Sequence, residues 1–414
     1  MAAYNLEPRV DSLFGGQCPR EVLRRRRYVA LDTGDGECPQ DAVTAALEPS
    51  RVLRLVGPAG AGKSMVVQKL LADWASGKRL THFAFLFPLP LGKLGSGTGK
   101  RSLADLLSQQ HFNLSRTSID LVFQNPRSLL FVLDGLDQDQ DQAPPCSDPN
   151  QPAPLSALVS GLLRGTLLPG ASVLMTCRPP ASLEPLSESV EVRGLSREGR
   201  GAYLRPFFPD PRETALVLMH MEETLGFCAL TRLPRFCWTL CSVYREAWAA
   251  GRALPKTVTH VLAQATASLF QRHAVRVEPA AALLTGLGKM AASAVLSGTG
   301  SCSWEEMDTF GLPPPQASAP LRDFLRPRPH SCSFLSPELA QFLLAVAYHR
   351  GCWDTGGLPD LLKLAAGKAD LLELFLVELC DPSQRAPLEG AVGEFDSDRA
   401  LELSDWRCGM GSKI

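Results

Sequence analysis

Gly57-Pro58-Ala59-Gly60-Ala61-Gly62-Lys63-Ser64 fits G-x-x-x-x-G-K-[ST] at every fixed position. In such a loop the glycines let successive backbone N–H groups turn inward around an anion. The lysine reaches the β- and γ-phosphates, and the serine hydroxyl is a ligand for Mg2+. The flanking sequence decides whether the match carries meaning. Val52-Leu53-Arg54-Leu55-Val56 reads as a buried strand, and Met65, Val66, Leu70, Leu71 and Trp74 recur at helical spacing. Strand, loop and helix therefore follow in the order that aims a helix N-terminus at phosphate. A glycine-rich turn matching by chance would lack these flanks. Gly57 to Ser64 are accordingly the candidate phosphate cradle, with Ser64 as a candidate Mg2+ ligand.

Outward from the loop, residues 52–192 alternate apolar strand candidates with helical stretches, the pattern of a parallel sheet with crossover helices. Strands are expected at Val52–Val56, Phe83–Phe87, Leu129–Leu133, Ser172–Cys177 and Val190–Val192, and helices at Met65–Ala75, Ser102–Gln109 and Leu155–Arg164. Leu94–Arg101 looks like a second phosphate loop but has Leu94 in place of the first glycine and Arg101 in place of Ser or Thr. It reads as a flexible surface loop. Gln138–Pro154 is rich in Asp, Gln and Pro, and mobility is expected there. After Gly194 the strand signal stops. Helices are expected at Thr214–Leu225, Pro234–Trp248, Thr257–Gln271, Ala280–Leu296, Pro337–His349, Leu358–Ala366 and Lys368–Leu379, before a polar and poorly patterned end.

A chain of 414 residues is too long for one ordinary domain. The formal net charge of −1 gives no global basic field, so direct nucleic-acid binding is not expected. Twelve cysteines are scattered without a C-x-x-C pair, and some, such as Cys237 and Cys241, lie in apolar helical runs. They read as small core residues in a reducing compartment, not as disulfides or a zinc site. No signal-peptide-like segment appears, and no apolar run is read as approaching the ~20 residues needed to span a bilayer. A cytoplasmic protein with no membrane partner is expected. Arg24 to Arg27 form a basic run that reads as a solvated helix face or linker, with a nuclear address or acidic partner as the alternative.

Leu129-Leu130-Phe131-Val132-Leu133-Asp134-Gly135-Leu136-Asp137 is an apolar strand ending in carboxylates. In a phosphate-binding α/β fold the strand beside the loop ends in an Asp that holds Mg2+ directly or through water. Asp134 is placed for that role, and Asp137 for orienting or deprotonating an attacking water. Val173-Leu174-Met175-Thr176-Cys177-Arg178-Pro179 is a further apolar strand. Its Arg178, at the carboxyl edge of the sheet, is a candidate γ-phosphate reader, and pairing with a surface carboxylate is the bland alternative.

With these segments in view, the chain resembles the NACHT module of NOD-like receptors, a branch of the signal-transducing P-loop ATPases. Asp134-Gly135-Leu136-Asp137 is the most specific feature. Val192-Arg193-Gly194-Leu195-Ser196, followed by Tyr203 and Phe207-Phe208, resembles the entry to the family's first helical domain. Leu233-Pro234-Arg235-Phe236-Cys237-Trp238 looks like that domain's P-x-F-C-W stretch, whose proline, here Pro234, borders the adenine. Phe334-Leu335 with Gln341-Phe342-Leu343-Leu344-Ala345 resembles the winged-helix segment F-x-H…QEFxAA. Two positions depart from the family pattern. Gln138 stands where a second acidic residue is usual, and Ser336 stands where a histidine usually meets the β-phosphate of ADP.

The resemblance implies an α/β P-loop NTPase domain, a parallel sheet with crossover helices, followed by an all-α helical domain and a winged-helix domain. The boundaries read as a lead-in segment 1–47, a nucleotide-binding domain 48–195, helical domain 196–253, winged helix 254–352, and the start of a second helical domain with a polar tail, 353–414. Nothing in the chain resembles a death-fold effector domain or a leucine-rich repeat, so a short form is expected. Function would be that of an ATP/ADP-binding, Mg2+-dependent switch in innate immune signalling, at most a slow ATPase, which self-associates or binds related NOD-like receptors. The alternative is a non-hydrolysing interaction protein, or a short isoform that binds and restrains a full-length relative.

Overall fold

β1 (Val52–Val56), β2 (Phe85–Pro90), β3 (Leu129–Asp134), β4 (Ser172–Cys177) and β5 (Glu188–Glu191) pair in parallel in the order β2-β3-β4-β1-β5. The computed structural model describes residues 12–34, 36–94, 99–111, 114–135, 144–179, 188–223, 228–328, 331–352, 357–396 and 398–403. Parallel neighbours need crossovers, and the helices Lys63–Ala75, Leu103–Gln110, Arg116–Phe123 and Leu155–Leu163 lie in the connections. Three strands differ from the sequence reading at their ends, β3 only by running one residue further, to Asp134. β2 runs on through Pro88 and Pro90, prolines that would break a central ladder but are tolerated because β2 is an edge strand pairing only with β3. β5 begins two residues early because it is the other edge, and only Val190 of its four residues is buried.

Alternation along the strands divides the sheet into two faces. Leu129, Phe131 and Leu133 of β3 and Val173, Met175 and Cys177 of β4 join Phe87, Leu107, Leu158 and Leu162 in one apolar core. The even positions, Leu130, Val132 and Asp134 with Leu174 and Thr176, therefore belong to the opposite face. Along β3, Asp134 is the first position at which that face turns polar.

The chain separates into two compact units: the first contains 17–203 and 232–234, and the second contains 12–16, 204–231 and the described residues from 235 onward. Residues 17–47 show little periodicity, yet they form helices Pro19–Arg24 and Pro39–Ala46 in the first unit, with Val43 and Leu47 fully buried. Each helix opens on a proline, whose fixed φ suits the first turn, and both are too short for a hydrophobic repeat to register.

The expected mobility of Gln138–Pro154 is corrected for its second half. Cys146 N donates to Ala157 O at 3.0 Å, and Arg101 and Ala153 exchange backbone hydrogen bonds at 3.1 and 3.0 Å, so 144–154 is held against the sheet domain. Composition could not reveal bonds made with residues 11 and 52 positions away. Residues 138–143, and 95–98 of the second glycine-rich loop, lie outside the described residues.

In the second unit a helical segment with Pro211–Glu223 and the helix Pro234–Ala249 is followed by a winged helix. Its helices Val258–Arg272, Val277–Leu296, Trp304–Thr309, Ala319–Phe324 and Pro337–His349 accompany β6 (Ser301–Ser303), β7 (Leu325–Pro327) and β8 (Ser331–Phe334), which form an antiparallel sheet in the order β6-β8-β7. These strands of three or four residues are too short to show alternation in sequence. Leu358–Ala365, Leu372–Glu378 and Pro382–Val392 close the unit, the last within a stretch that reads as poorly patterned. Val277–Leu296 is long and apolar enough to cross a bilayer by length and composition, which corrects the expectation that no run approaches that length. Here it is half-buried: Leu284, Leu287, Met290, Ala291 and Ala294 are covered, and a Cβ on Gly288 would come within 2.4 Å of Ala347 Cβ on Pro337–His349. That close approach is the reason glycine occupies 288.

A turn from the start of the described chain also belongs to this unit. Ser12 and Gly16 exchange backbone bonds at 3.2 and 3.0 Å, and Leu13 and Phe14 are buried between them. Thr239 Oγ1 donates to Leu13 O at 2.7 Å, and Leu13 N donates to Asp323 Oδ1 at 3.0 Å.

Candidate functional site: a phosphate loop and its carboxylate

The loop leaves β1 at Gly57, whose N–H donates to Cys177 O at 3.3 Å and continues the pairing of β1 with β4. A Cβ on Gly57 would lie 2.4 Å from Val192 O, closer than any side chain could come. Gly60 and Gly62 take φ of +86° and +102°, in the left-handed region open to glycine. These two inversions turn the backbone around, with Ala61 fully buried between them. Gly62 then caps the helix Lys63–Ala75 with its backbone, its O accepting from Met65 N at 2.8 Å and Val66 N at 3.0 Å. No side chain caps that end. A helix N-terminus favours an anion, and this one opens directly from the loop.

Lys63 Nζ donates to Gly57 O at 2.5 Å and to Pro58 O at 3.0 Å, placing its ammonium over the same loop that begins the motif. Ser64 Oγ donates to Asp134 Oδ1 at 3.1 Å, joining residues 70 positions apart. The sequence-predicted pair of metal ligands is thus brought together. Both supply hard oxygen donors. Among the described residues no group of three His, Cys, Asp or Glu side chains could hold a metal alone, so a cation here would take its other ligands from phosphate and water, as Mg2+ does.

Thr176 is the residue that sequence reasoning passed over. Its Oγ1 donates to Asp134 Oδ1 at 2.8 Å and accepts from Gly135 N at 2.8 Å. Only the register of β3 beside β4 brings it there, so period-2 counting along both strands was the signal available. Cys177, next along β4, has its thiol pushed up by burial, while Arg54 and Lys63 pull it the other way.

Leu31 is a second missed residue: it is buried, and a Cβ on Gly62 would lie 2.7 Å from its Cδ1. Asp32 follows. Its N–H donates to Gly194 O at 2.7 Å, its O accepts from Arg193 N at 2.9 Å, and its carboxylate pairs with Arg232 Nη2 at 2.7 Å. Leu195 N in turn donates to Arg232 O at 2.7 Å. These bonds fix the chain two residues before Pro234 to the end of β5, within the unit that carries the loop. Arg178 follows directly on β4 and is exposed. Asp137 and Gln138 lie outside the described residues.

The NACHT domain family matches residues 51–211. Among curated proteins, NACHT, LRR and PYD domains-containing protein 6 of Mus musculus is 36% identical over 264 residues, 60% of this chain and 29% of that protein. NACHT, LRR and PYD domains-containing protein 3 of Homo sapiens is 29% identical over 321 residues, 73% of this chain and 31% of that protein. The matches span about a third of the length of these relatives. Among solved structures, a signal transduction ATPase with numerous domains and a tetratricopeptide-repeat sensor, from Pyrococcus horikoshii, aligns with a TM-score of 0.35 at 11% identity, covering 83% of this chain and 45% of that one.

Proposed function

We propose, from the premise that this chain is a NACHT-domain protein of the NOD-like receptor family carrying a nucleotide-binding P-loop module, that it works as an ATP/ADP switch in innate immune signalling. One observation carries the reading: Lys63, Ser64 and Asp134 converge at the mouth of a loop whose glycines alone permit its path. The loop backbone at the start of Lys63–Ala75, together with the Lys63 ammonium, would bind the phosphates. Ser64 and Asp134 would hold Mg2+, which when bound neutralises phosphate charge. Arg178, at the end of β4, would read the γ-phosphate, and Pro234 would border the adenine. The γ-phosphate then favours the arrangement of domains that contacts it best, and the ATP-bound form self-associates or engages a related receptor. Asp137 would position water for slow hydrolysis. The cytoplasm, with the nucleus as alternative, is the proposed location.

The test is nucleotide affinity in Lys63→Ala. A hydrogen bond to a charged group contributes roughly 1.5–3 kcal/mol, so affinity for ATP and ADP should fall about tenfold to a hundredfold by calorimetry. Equal affinity in wild type and variant would show that the loop does not bind nucleotide.

A second reading, an interaction protein that restrains a longer relative, is favoured by Ser336. Its hydroxyl accepts from Leu339 N at 3.2 Å, capping Pro337–His349, and the residue is 5% exposed. A side chain so engaged is poorly suited to the histidine's role toward ADP. Purified protein that releases no nucleotide on denaturation would favour this reading.

A further inference from the structure

Thr176 is 2% exposed, in the one strand flanked by both β1 and β3. Its hydroxyl is engaged twice. Gly135 N already directs a hydrogen at Thr176 Oγ1, so the hydroxyl's single hydrogen goes to Asp134 Oδ1. Ser64 Oγ donates to the same Oδ1. Two hydroxyls from two different elements therefore meet on one carboxylate oxygen, and rotation of the Asp134 carboxylate would break both bonds. Among the described residues no donor is directed at Oδ2. The arrangement sorts the two oxygens: Oδ1 is held by protein, and Oδ2 is left for water or a cation.

The bond from Gly135 adds a second constraint. Gly135 has φ of +87°, in the left-handed region open to glycine, and its bond to Thr176 holds the residue just after Asp134 against β4. Arg178 lies two residues beyond Thr176, directly after the end of β4. The side chain that fixes the carboxylate thus also ties the end of β3 to the strand end that the arginine follows.

We infer that Thr176 is a positioning residue for the divalent cation: it orients Asp134 so that one carboxylate oxygen faces the metal that accompanies a bound nucleotide. The inference rests on the reading of Gly57–Ser64 as a nucleotide site. A buried threonine whose role is only to satisfy its own hydroxyl would affect folding but not the contribution of the metal, and this separates the two roles.

The experiment measures ADP affinity by calorimetry with Mg2+ and with EDTA, and takes the ratio of the two dissociation constants. Thr176→Val keeps the shape and removes the hydroxyl. Outer-shell partners of metal ligands change metal affinity by about tenfold to a hundredfold, so Thr176→Val should lose at least about tenfold of the Mg2+-dependent gain, with affinity in EDTA within about twofold of wild type. Thr176→Ser, which keeps the hydroxyl, should retain the gain. If Thr176→Val does not fold, Thr176→Cys, a weak donor of similar size, should show a reduced gain. A full Mg2+-dependent gain in the folded Val or Cys variant overturns the inference, as does a Ser variant that behaves like Val. Failure of the underlying reading looks different: the wild type itself would then show no nucleotide affinity.

Discussion

His349 shows how far burial alone can change a residue's chemistry. It is fully buried at the end of Pro337–His349, with Nε2 2.8 Å from Leu376 O, so Nε2 carries the hydrogen. Among the described residues Nδ1 has no partner. A second proton there would place an unpaired charge in the core, and burial pushes the ring from 6.5 down to about 4. The folded value lies below the unfolded one, so the unfolded chain binds more protons between these limits. Stability is then full above 6.5 and is lost as pH falls towards 4. Between pH 7 and 5 the loss from this one group should be about 2 kcal/mol. Urea midpoints at the two pH values should show a shift of that size in wild type, smaller in His349→Gln; identical shifts would place the dependence elsewhere. At this scale the phosphate loop was legible because its eight residues are consecutive and their constraints are local. Thr176 and Leu31 were not, since each acts on residues far away in sequence.

At the scale of elements, the helix Pro234–Ala249 and the helix Pro337–His349 are joined by a buried ion pair. Arg235 Nη2 meets Glu338 Oε1 at 3.0 Å, and Arg235 Nη1 donates to Leu335 O at 2.8 Å, with both side chains 9% exposed. Removing one partner strands the other's charge, which costs about 3–5 kcal/mol in buried pairs, whereas replacing both with apolar residues is often neutral. Arg235→Ala and Glu338→Ala should therefore each lower the thermal midpoint strongly, and the double variant Arg235→Met/Glu338→Leu should recover most of it. Additive losses in the double variant would mean that the two charges do not depend on each other. The long helices were legible from their 3.6-residue repeat. The pair was not, for Arg235 stands inside an apolar stretch with no sign of a carboxylate a hundred residues on.

For the whole molecule, Ser336 connects family pattern to stability. Ser336→His would install the imidazole usual in the family and should raise the ADP share of bound nucleotide. It would also delete the cap on Pro337–His349, at a cost of about 1 kcal/mol. Nucleotide analysis after denaturation should then show more ADP, while the melting temperature falls and size-exclusion chromatography shows less self-association. An unchanged ADP:ATP ratio with the same drop in melting temperature would leave the cap as the only role of position 336 and favour the restraining reading.

By itself the sequence determined the phosphate loop, the acidic strand, the α/β core with its helical continuation, and the resemblance to NACHT modules. These rest on contiguous motifs and on hydrophobic repeats long enough to be counted. Tertiary structure alone decided which strands are neighbours, and hence that Ser64 and Thr176 meet on Asp134. It also decided that 144–154 is held in place, that Ser12–Gly16 packs with the second unit, and that a three-stranded wing forms from segments of three or four residues. The physical reason is common to all of them. A hydrogen bond or packed contact between residues tens to hundreds of positions apart leaves no periodicity in the chain, because nothing in the local sequence records the partner.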